Sequence, residues 1–363
     1  MVAPRLREIA RLFLTVGVVG VGGPAAHVAL MHDQVVRRRA WLNDAEFVAL
    51  VGATALVPGP NSTELAMAIG HRRAGARGLA VAGASFIVPA VAIVAVIAWA
   101  YARYGTLPAS EWIRYGTLPA VVAIVAVALV RLAPVVAPSP VLAASAVAAA
   151  AASVAGVHDV VALVVAGLLP VAVRGASALW CSPLLLMAAI DPRRILAVFA
   201  MVGSLVYGSG YVLLALLERE LVERRGWIDE RTLLDAVAVG QVTPGPVFST
   251  ATFIGWQVGG PWGAAAATAG IFAPSVLFVA AMDPLVRAAD RRPALASFLS
   301  GVGAAAVGLM VVVLVRMAGA AVADGWTAGI AAASVAVLLR TRVNSAWVVV
   351  GGCAVGAAVR LVA

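Results

Sequence analysis

The sequence predicts an all-α polytopic membrane protein made of two inverted-topology repeats, with about ten membrane-spanning helices plus two re-entrant or broken helical hairpins. Composition is the first reason: 63% of the 363 residues are hydrophobic, 12% are charged and the mean hydropathy is +1.01. A soluble chain of this length is far more polar. The second reason is duplication. Pro58-Gly59-Pro60 recurs as Pro244-Gly245-Pro246, 186 positions on, and the same shift maps Gly17 onto Gly203, Gly22 onto Gly208 and Trp41 onto Trp227. A shift of 185 then maps Gly70 onto Gly255, Gly78 onto Gly263, Pro89 onto Pro274 and Arg131 onto Arg316, so a single deletion aligns the copies. The third reason is loop charge. His71-Arg72-Arg73 and Arg77 follow the first hairpin, whereas the matching run from Trp256 to Trp262 is uncharged, as expected if the copies face opposite ways.

The repeats read as residues 7–175 and 193–360, in domains 1–175 and 193–363 joined by a connecting segment, 176–192. The first span starts near Leu12 and breaks at Gly22-Gly23-Pro24; its counterpart starts near Ile195 and breaks at Gly208-Ser209-Gly210. Glycine and proline inside a membrane helix expose backbone groups that only protein or cavity water can satisfy, so these breaks belong in the interior. Each is followed by a polar connector ending in Trp41 or Trp227, read as interface anchors. Next comes a half-length helix, Glu46 to Val57, then Pro58-Gly59-Pro60, then a second short helix from Asn61 to about Gly70. Leu233 to Thr243 and Val247 to Gly255 repeat this pair. Two segments too short to cross, joined by a proline turn, read as a hairpin that enters and returns. Full-length spans are expected at 78–101, 117–133, 139–155, 160–173, 263–282, 294–315, 326–339 and 345–361.

The net charge of +9 comes entirely from arginine, with no lysine in the chain. These arginines lie in short loops between apolar runs, which is the pattern of membrane topology and not of nucleic-acid binding. With Arg72 set on the cytoplasmic side, counting crossings puts Arg174, Arg193, Arg194, Arg287, Arg291, Arg292, Arg340 and Arg342 there too, and the stretch from Glu218 to Glu230 outside. Arg5, Arg7 and Arg11 are the misfit, left outside by the same count. Cys181 and Cys353 form no metal or redox motif, and His27, His32, His71 and His158 show no ligand spacing with each other or with cysteine. No cofactor or metal is expected. A membrane-embedded enzyme would need a convergent nucleophile, base or metal set that the sequence does not offer, and no phosphate-cradling nucleotide motif is present. No cleavable signal peptide is evident after Arg11.

The candidate binding residues follow from the breaks. Paired interruptions at matching positions of two halves point to a transport site, which selects Pro58, Gly59, Pro60, Pro244, Gly245 and Pro246, with Gly22 and Gly23 at the first break. The helix N-termini after each turn favour an anion, adding Asn61, Ser62, Thr63, Ser249 and Thr250. Asn61 with Glu64 three residues on also reads as a plain capping box. Gln241 precedes the second turn. Arg131 and Arg316, at matching positions in apolar runs, either offer a planar fork to an oxyanion or snorkel to the interface. His27 is a candidate for proton coupling or anion contact, and equally for satisfaction by exposed carbonyls.

The run Val21-Gly22-Gly23-Pro24-Ala25-Ala26-His27, the stretch Leu56 to Thr63, Ile69 to Gly75 and Phe86-Ile-Val-Pro89, with Gly240 to Pro246, Thr252 to Gly255 and Gly270 to Pro274 in the second half, resemble the chromate ion transporter (CHR) family in its long, two-domain form. The resemblance covers nearly the whole chain. It implies a multi-pass inner-membrane protein, lying in the lipid bilayer, that exports chromate and confers resistance to it. Ala55, facing Gln241 in the repeat, departs from the family's habit of Gln in both halves. A related oxyanion such as sulfate, with chromate's charge and shape, is the alternative substrate, and a homo-oligomer is left open.

Overall fold

A computed structural model describes residues 2–20, 23–55, 58–104, 108–136, 139–155, 157, 159–172, 191–206, 212–282, 293–341, 343 and 345–362. Every regular element among them is helical: α1 (Val2–Val19), α2 (Gly23–His32), which runs into a π-helical turn (Asp33–Arg38), α3 (Asp44–Ala55), α4 (Asn61–Tyr104), α5 (Pro108–Val136), α6 (Pro140–Val154) and α7 (Asp159–Ala172). The second half repeats the series as α8 (Pro192–Leu205), α9 (Val212–Leu217) with its own π-helical turn (Glu218–Glu223), α10 (Glu230–Val242), a short 3-10 turn (Val247–Ser249), α11 (Thr250–Ala280), α12 (Pro293–Ala321), α13 (Gly325–Arg340) and α14 (Ser345–Val362). Three described stretches are long and apolar enough to cross a membrane, Asn61–Tyr104, Val247–Ala280 and Ser300–Gly319, and five shorter apolar helices accompany them. Gly22, Gly208, Cys181, His158, Arg174, Arg287, Arg291, Arg292, Arg342 and the connecting segment up to residue 190 lie outside the described residues, as does the side chain of Arg131.

The duplication reaches the dihedral angles. α4 is interrupted at Ala74 (φ −147°, ψ 25°) and Gly75 (φ 62°, ψ −152°), and α11 at Gly259 (φ −146°, ψ 24°) and Gly260 (φ 60°, ψ −150°). A positive φ is open to glycine at little cost, so each long helix is two arms: a short one returning from the Pro-Gly-Pro turn and a long one crossing. α3, with 12 residues, spans about 18 Å, roughly half a bilayer core. The first proline turn therefore lies about 18 Å of helix in from the start of α3.

Two findings revise the expected topology. Arg5 shares a pocket with Trp41, Arg72 and Arg73, and Arg73 reaches Glu8 at 3.5 Å. The chain thus returns to its starting face by Trp41: α1 and α2 form another hairpin bent at Gly20, where the sequence suggested one span. Arg5 is no misfit, since it lies on the face of Arg72. Conversely, Ile195 packs against Gly259 and Gly263, and Gln257 Nε2 donates to Ala98 O at 3.1 Å, roughly 35 Å of helix away from Gly75. Arg193 and Arg194 therefore start α8 at the opposite face from Arg72, not beside it. The apolar stripe Ile9, Leu12, Phe13 and Val16, all buried, holds α1 against α4.

The halves interleave. α4 packs on α11, α5 lies against α13 and α14, and α12 lies against α6 and α7. Trp41 and Trp227 are half-buried under guanidinium groups, Arg73 at 5.0 Å and Arg225 at 5.6 Å from the ring centres.

In a background with Cys181 and Cys353 replaced by alanine, single cysteines at Arg5 and Ala74 should react with an impermeant thiol reagent from one side of the membrane and a cysteine at Gly259 from the other. Labelling of all three from the same side would contradict the inverted arrangement.

Candidate functional site

Each Pro-Gly-Pro turn is tied to the other half by a backbone hydrogen bond. Gly59 N donates to Val206 O at 2.7 Å, and Gly245 N donates to Gly20 O at 2.8 Å. These two bonds are the same bond under the repeat, since Gly59 maps onto Gly245 and Gly20 onto Val206. Both glycines hold φ values that other residues adopt rarely, +143° and +95°. The space a Cβ would need is also taken. At Gly59 it is filled by Glu64 and by Ser275 of α11; at Gly245, by the methyl of Ala90 and the carbonyls of Gly17 and Phe86 on α1 and α4. Ser275 and Ala90 are again matching positions. The turns are thus one of the contacts between the repeats, and α4 also touches the 3-10 turn Val247–Ser249.

Polar side-chain atoms without hydrogen-bond partners gather there. His27 Nδ1, Thr63 Oγ1, both oxygens of Glu64, Ser249 Oγ and Ser275 Oγ are buried and unmatched. Glu64 and Ser275 face each other across Gly59 too loosely for a regular hydrogen bond. Orphaned buried polar groups are uncommon and call for a ligand, an ion or water. His27 is fully buried, edge-on to Phe86, with Nε2 2.9 Å from Gly20 O. A carbonyl only accepts, so Nε2 carries the hydrogen, and Nδ1 is left to accept a proton or a hydrogen bond. Gly20 O thereby receives both His27 and the second-half turn.

Of the residues the sequence selects, Gly59, Pro60, Ser62, Thr63, Gly245, Pro246, Ser249, Thr250 and His27 are buried around these turns, with Pro58, Asn61 and Pro244 half-buried. The first helical acceptor after the first turn is Pro60 O, bonded to Glu64 N at 3.1 Å. Asn61 is therefore the first residue of the helix and not its cap, and Glu64 is turned away from a capping box. Thr250 Oγ1 donates to Val247 O at 2.7 Å. Gln241 accepts from Ser345 Oγ at 3.3 Å and borders, with Thr250, Leu213 and Val125, a cavity of about 10 Å³, room for one water. Gly23 opens α2.

Arg316 does not supply unmatched charge in this arrangement. Its guanidinium pairs with Glu218 at 3.4 Å and with Glu223, both on the π-helical turn. Arg219 beside them donates to Ser153 Oγ at 2.8 Å, so the arginine belongs to an ion network joining α12 to the end of α9. Two site residues were not selected from the sequence: Glu64, whose spacing from Asn61 imitates a cap, and Ser275, for which no local signal exists because it meets Gly59 only through the fold.

Two copies of opposite orientation, meeting through broken helices around unmatched polar groups, define a membrane transporter of the inverted-repeat class. The chain belongs to the chromate transporter family, whose model matches it twice, over residues 7–171 and 193–357. It is 31% identical to the chromate transport protein of Cupriavidus metallidurans, over 96% of this chain and 92% of that protein. Similarity to the probable chromate transport protein of Synechococcus elongatus is also 31%, over 86% and 85%. A chromate transport protein of Pseudomonas aeruginosa is 28% identical over 82% and 77%. No solved structure matches the chain.

Gly59→Ala and Gly245→Ala should each lower stability by about 1–3 kcal/mol through forced φ and crowding, seen as a lower melting temperature of the purified protein, with a larger proportional loss of transport. Arg316→Gln should also lower the melting temperature, because Glu218, with its side chain 3% exposed, loses a cationic partner. Adding Glu218→Gln should restore part of the loss.

Proposed function

We propose that this chain is a secondary-type transporter that exports chromate across the cytoplasmic membrane and so gives resistance to it. The observation that carries the reading lies at the two turns: buried polar atoms of both halves lack hydrogen-bond partners there, with Thr63 and Glu64 after the first turn, Ser249 after the second, Ser275 against Gly59, and His27 on the Gly20 carbonyl that Gly245 also reaches. Three relatives bear the name of chromate transport proteins, which supports the choice of anion.

The backbone N–H groups of Ser62, Val247 and Phe248 and the hydroxyls of Thr63, Ser249 and Ser275 are the donors for the oxyanion's oxygens. A dianion leaving water needs more than the roughly half charge that each helix end contributes. His27, protonated on Nδ1, supplies part of the difference, and Arg131 is the remaining cationic candidate. Glu64 stands where a dianion would be repelled, so the carboxyl must carry a proton while the anion is bound. In this reading Glu64 and His27 link anion movement to protons, and the two-domain repeat 1–175 and 193–363 alternates access by moving one half against the other.

Inside-out vesicles from cells making the protein should accumulate radiolabelled chromate, and those cells should hold less chromate than cells without it. Sulfate uptake in place of chromate would transfer the role to that anion, and movement of neither would overturn the proposal. Glu64→Gln, a neutral stand-in for the protonated acid, should keep chromate binding within about threefold while removing the response of transport to an imposed proton gradient.

A further inference from the structure

On the face where α1 starts, a concave pocket of about 280 Å³ is walled by Arg5, Arg72, Arg73, Trp41 and Glu46. Arg73 is held in place, its guanidinium 5.0 Å over the Trp41 ring and 3.5 Å from Glu8, with Nε buried and lacking a hydrogen-bond partner. Glu46 is engaged with its own helix end: its carboxylate accepts from Asn43 N at 2.9 Å while its N donates to Asn43 Oδ1 at 2.8 Å. Arg5 and Arg72 are exposed and make no hydrogen bond or ion pair among the described residues. Three guanidinium groups thus share one concavity, two of them uncommitted.

The internal repeat is the control for what the fold itself demands here. The apolar walls recur at matching positions, Trp41 as Trp227, Leu42 as Ile228 and Ile69 as Ile254. The cations do not recur: Arg5, Arg72 and Arg73 correspond to Asp191, Gln257 and Val258. The scaffold forms without them on the opposite face, so packing does not explain the arginines. A general bias of arginine towards one side accounts for their presence on that face, but not for their gathering in a pocket with a stacked, partly unsatisfied member.

We propose that this pocket is a second anion site, separate from the junction of the turns, and that it takes a phosphate-type group with several free oxygens. Guanidinium forks match such oxygens two at a time, and basic pockets beside membrane helices accept headgroup phosphates. The group comes either from an anionic phospholipid headgroup or from a free phosphate in solution, and the two sources are separable.

The test uses the purified full-length protein in neutral detergent. Retained phosphatidylglycerol and phosphatidylcholine are compared by native mass spectrometry, and radiolabelled inorganic phosphate is measured by equilibrium dialysis. The pair Arg5→Gln and Arg72→Gln should weaken the favoured probe by about 25-fold, about fivefold for each arginine. The pair Arg5→Lys and Arg72→Lys should fall between it and the parent. Preference for phosphatidylglycerol that disappears in the Gln pair identifies a headgroup; phosphate binding that disappears without any lipid preference identifies the soluble anion. A Gln pair with an unchanged melting temperature that holds both probes as the parent does, or a parent that favours neither probe, overturns the proposal.

Discussion

In an apolar interior a broken helix leaves N–H and C=O groups that water cannot reach, and each must find a partner in the protein. This chain breaks its helices at Gly20 and at Val206, and again at the two Pro-Gly-Pro turns, and it answers one set of breaks with the other. Gly59 N reaches Val206 O and Gly245 N reaches Gly20 O. Because each bond joins opposite halves, neither repeat completes its own centre. The same exchange organises the outer helices, with α5 against α13 and α14 and α12 against α6 and α7. The inverted arrangement is what lets the two bonds be equivalent.

On this symmetric frame the chemistry is not symmetric. His27 stands opposite Leu213, Glu64 opposite Thr250, Ser275 opposite Ala90 and Gln241 opposite Ala55. The ionisable groups at the junction come from the first half, and hydroxyls come from both. The turn glycines Gly59 and Gly245, kept in both halves, are where backbone approaches backbone, whereas the polar side chains beside them differ between the halves. The kink geometry is kept in both copies while the polar side chains at the turns diverge.

The repeat, the hairpins and most spans were legible because glycine and proline report backbone conformation locally, and Gly75 and Gly260 show the same dihedrals to within a few degrees. The sidedness of Arg5 was not, because an apolar run after Leu12 looks the same whether the chain crosses or turns back. The pocket that Arg5 shares with Trp41 and Arg72 reveals the return. Glu64 was read as a cap because its spacing from Asn61 is a local pattern, whereas its real neighbour, Ser275, arrives from the other half. Arg316 was placed by its match to Arg131, and its partners, Glu218 and Glu223, are set by the packing of α12 on α9, which no spacing in the sequence encodes.

The central claim is that both halves build one anion site and not one site each. Equilibrium binding of radiolabelled chromate to the purified protein, compared with Thr63→Val from the first half and Ser275→Ala from the second, tests this most directly. In a background carrying Arg5→Gln and Arg72→Gln, the account predicts one chromate per chain, with the single class of site weakened about tenfold or more by either change, as expected when a charge-assisted hydrogen bond to a buried anion is lost. Two chromate ions per chain, with each variant impairing only one of them, would contradict it.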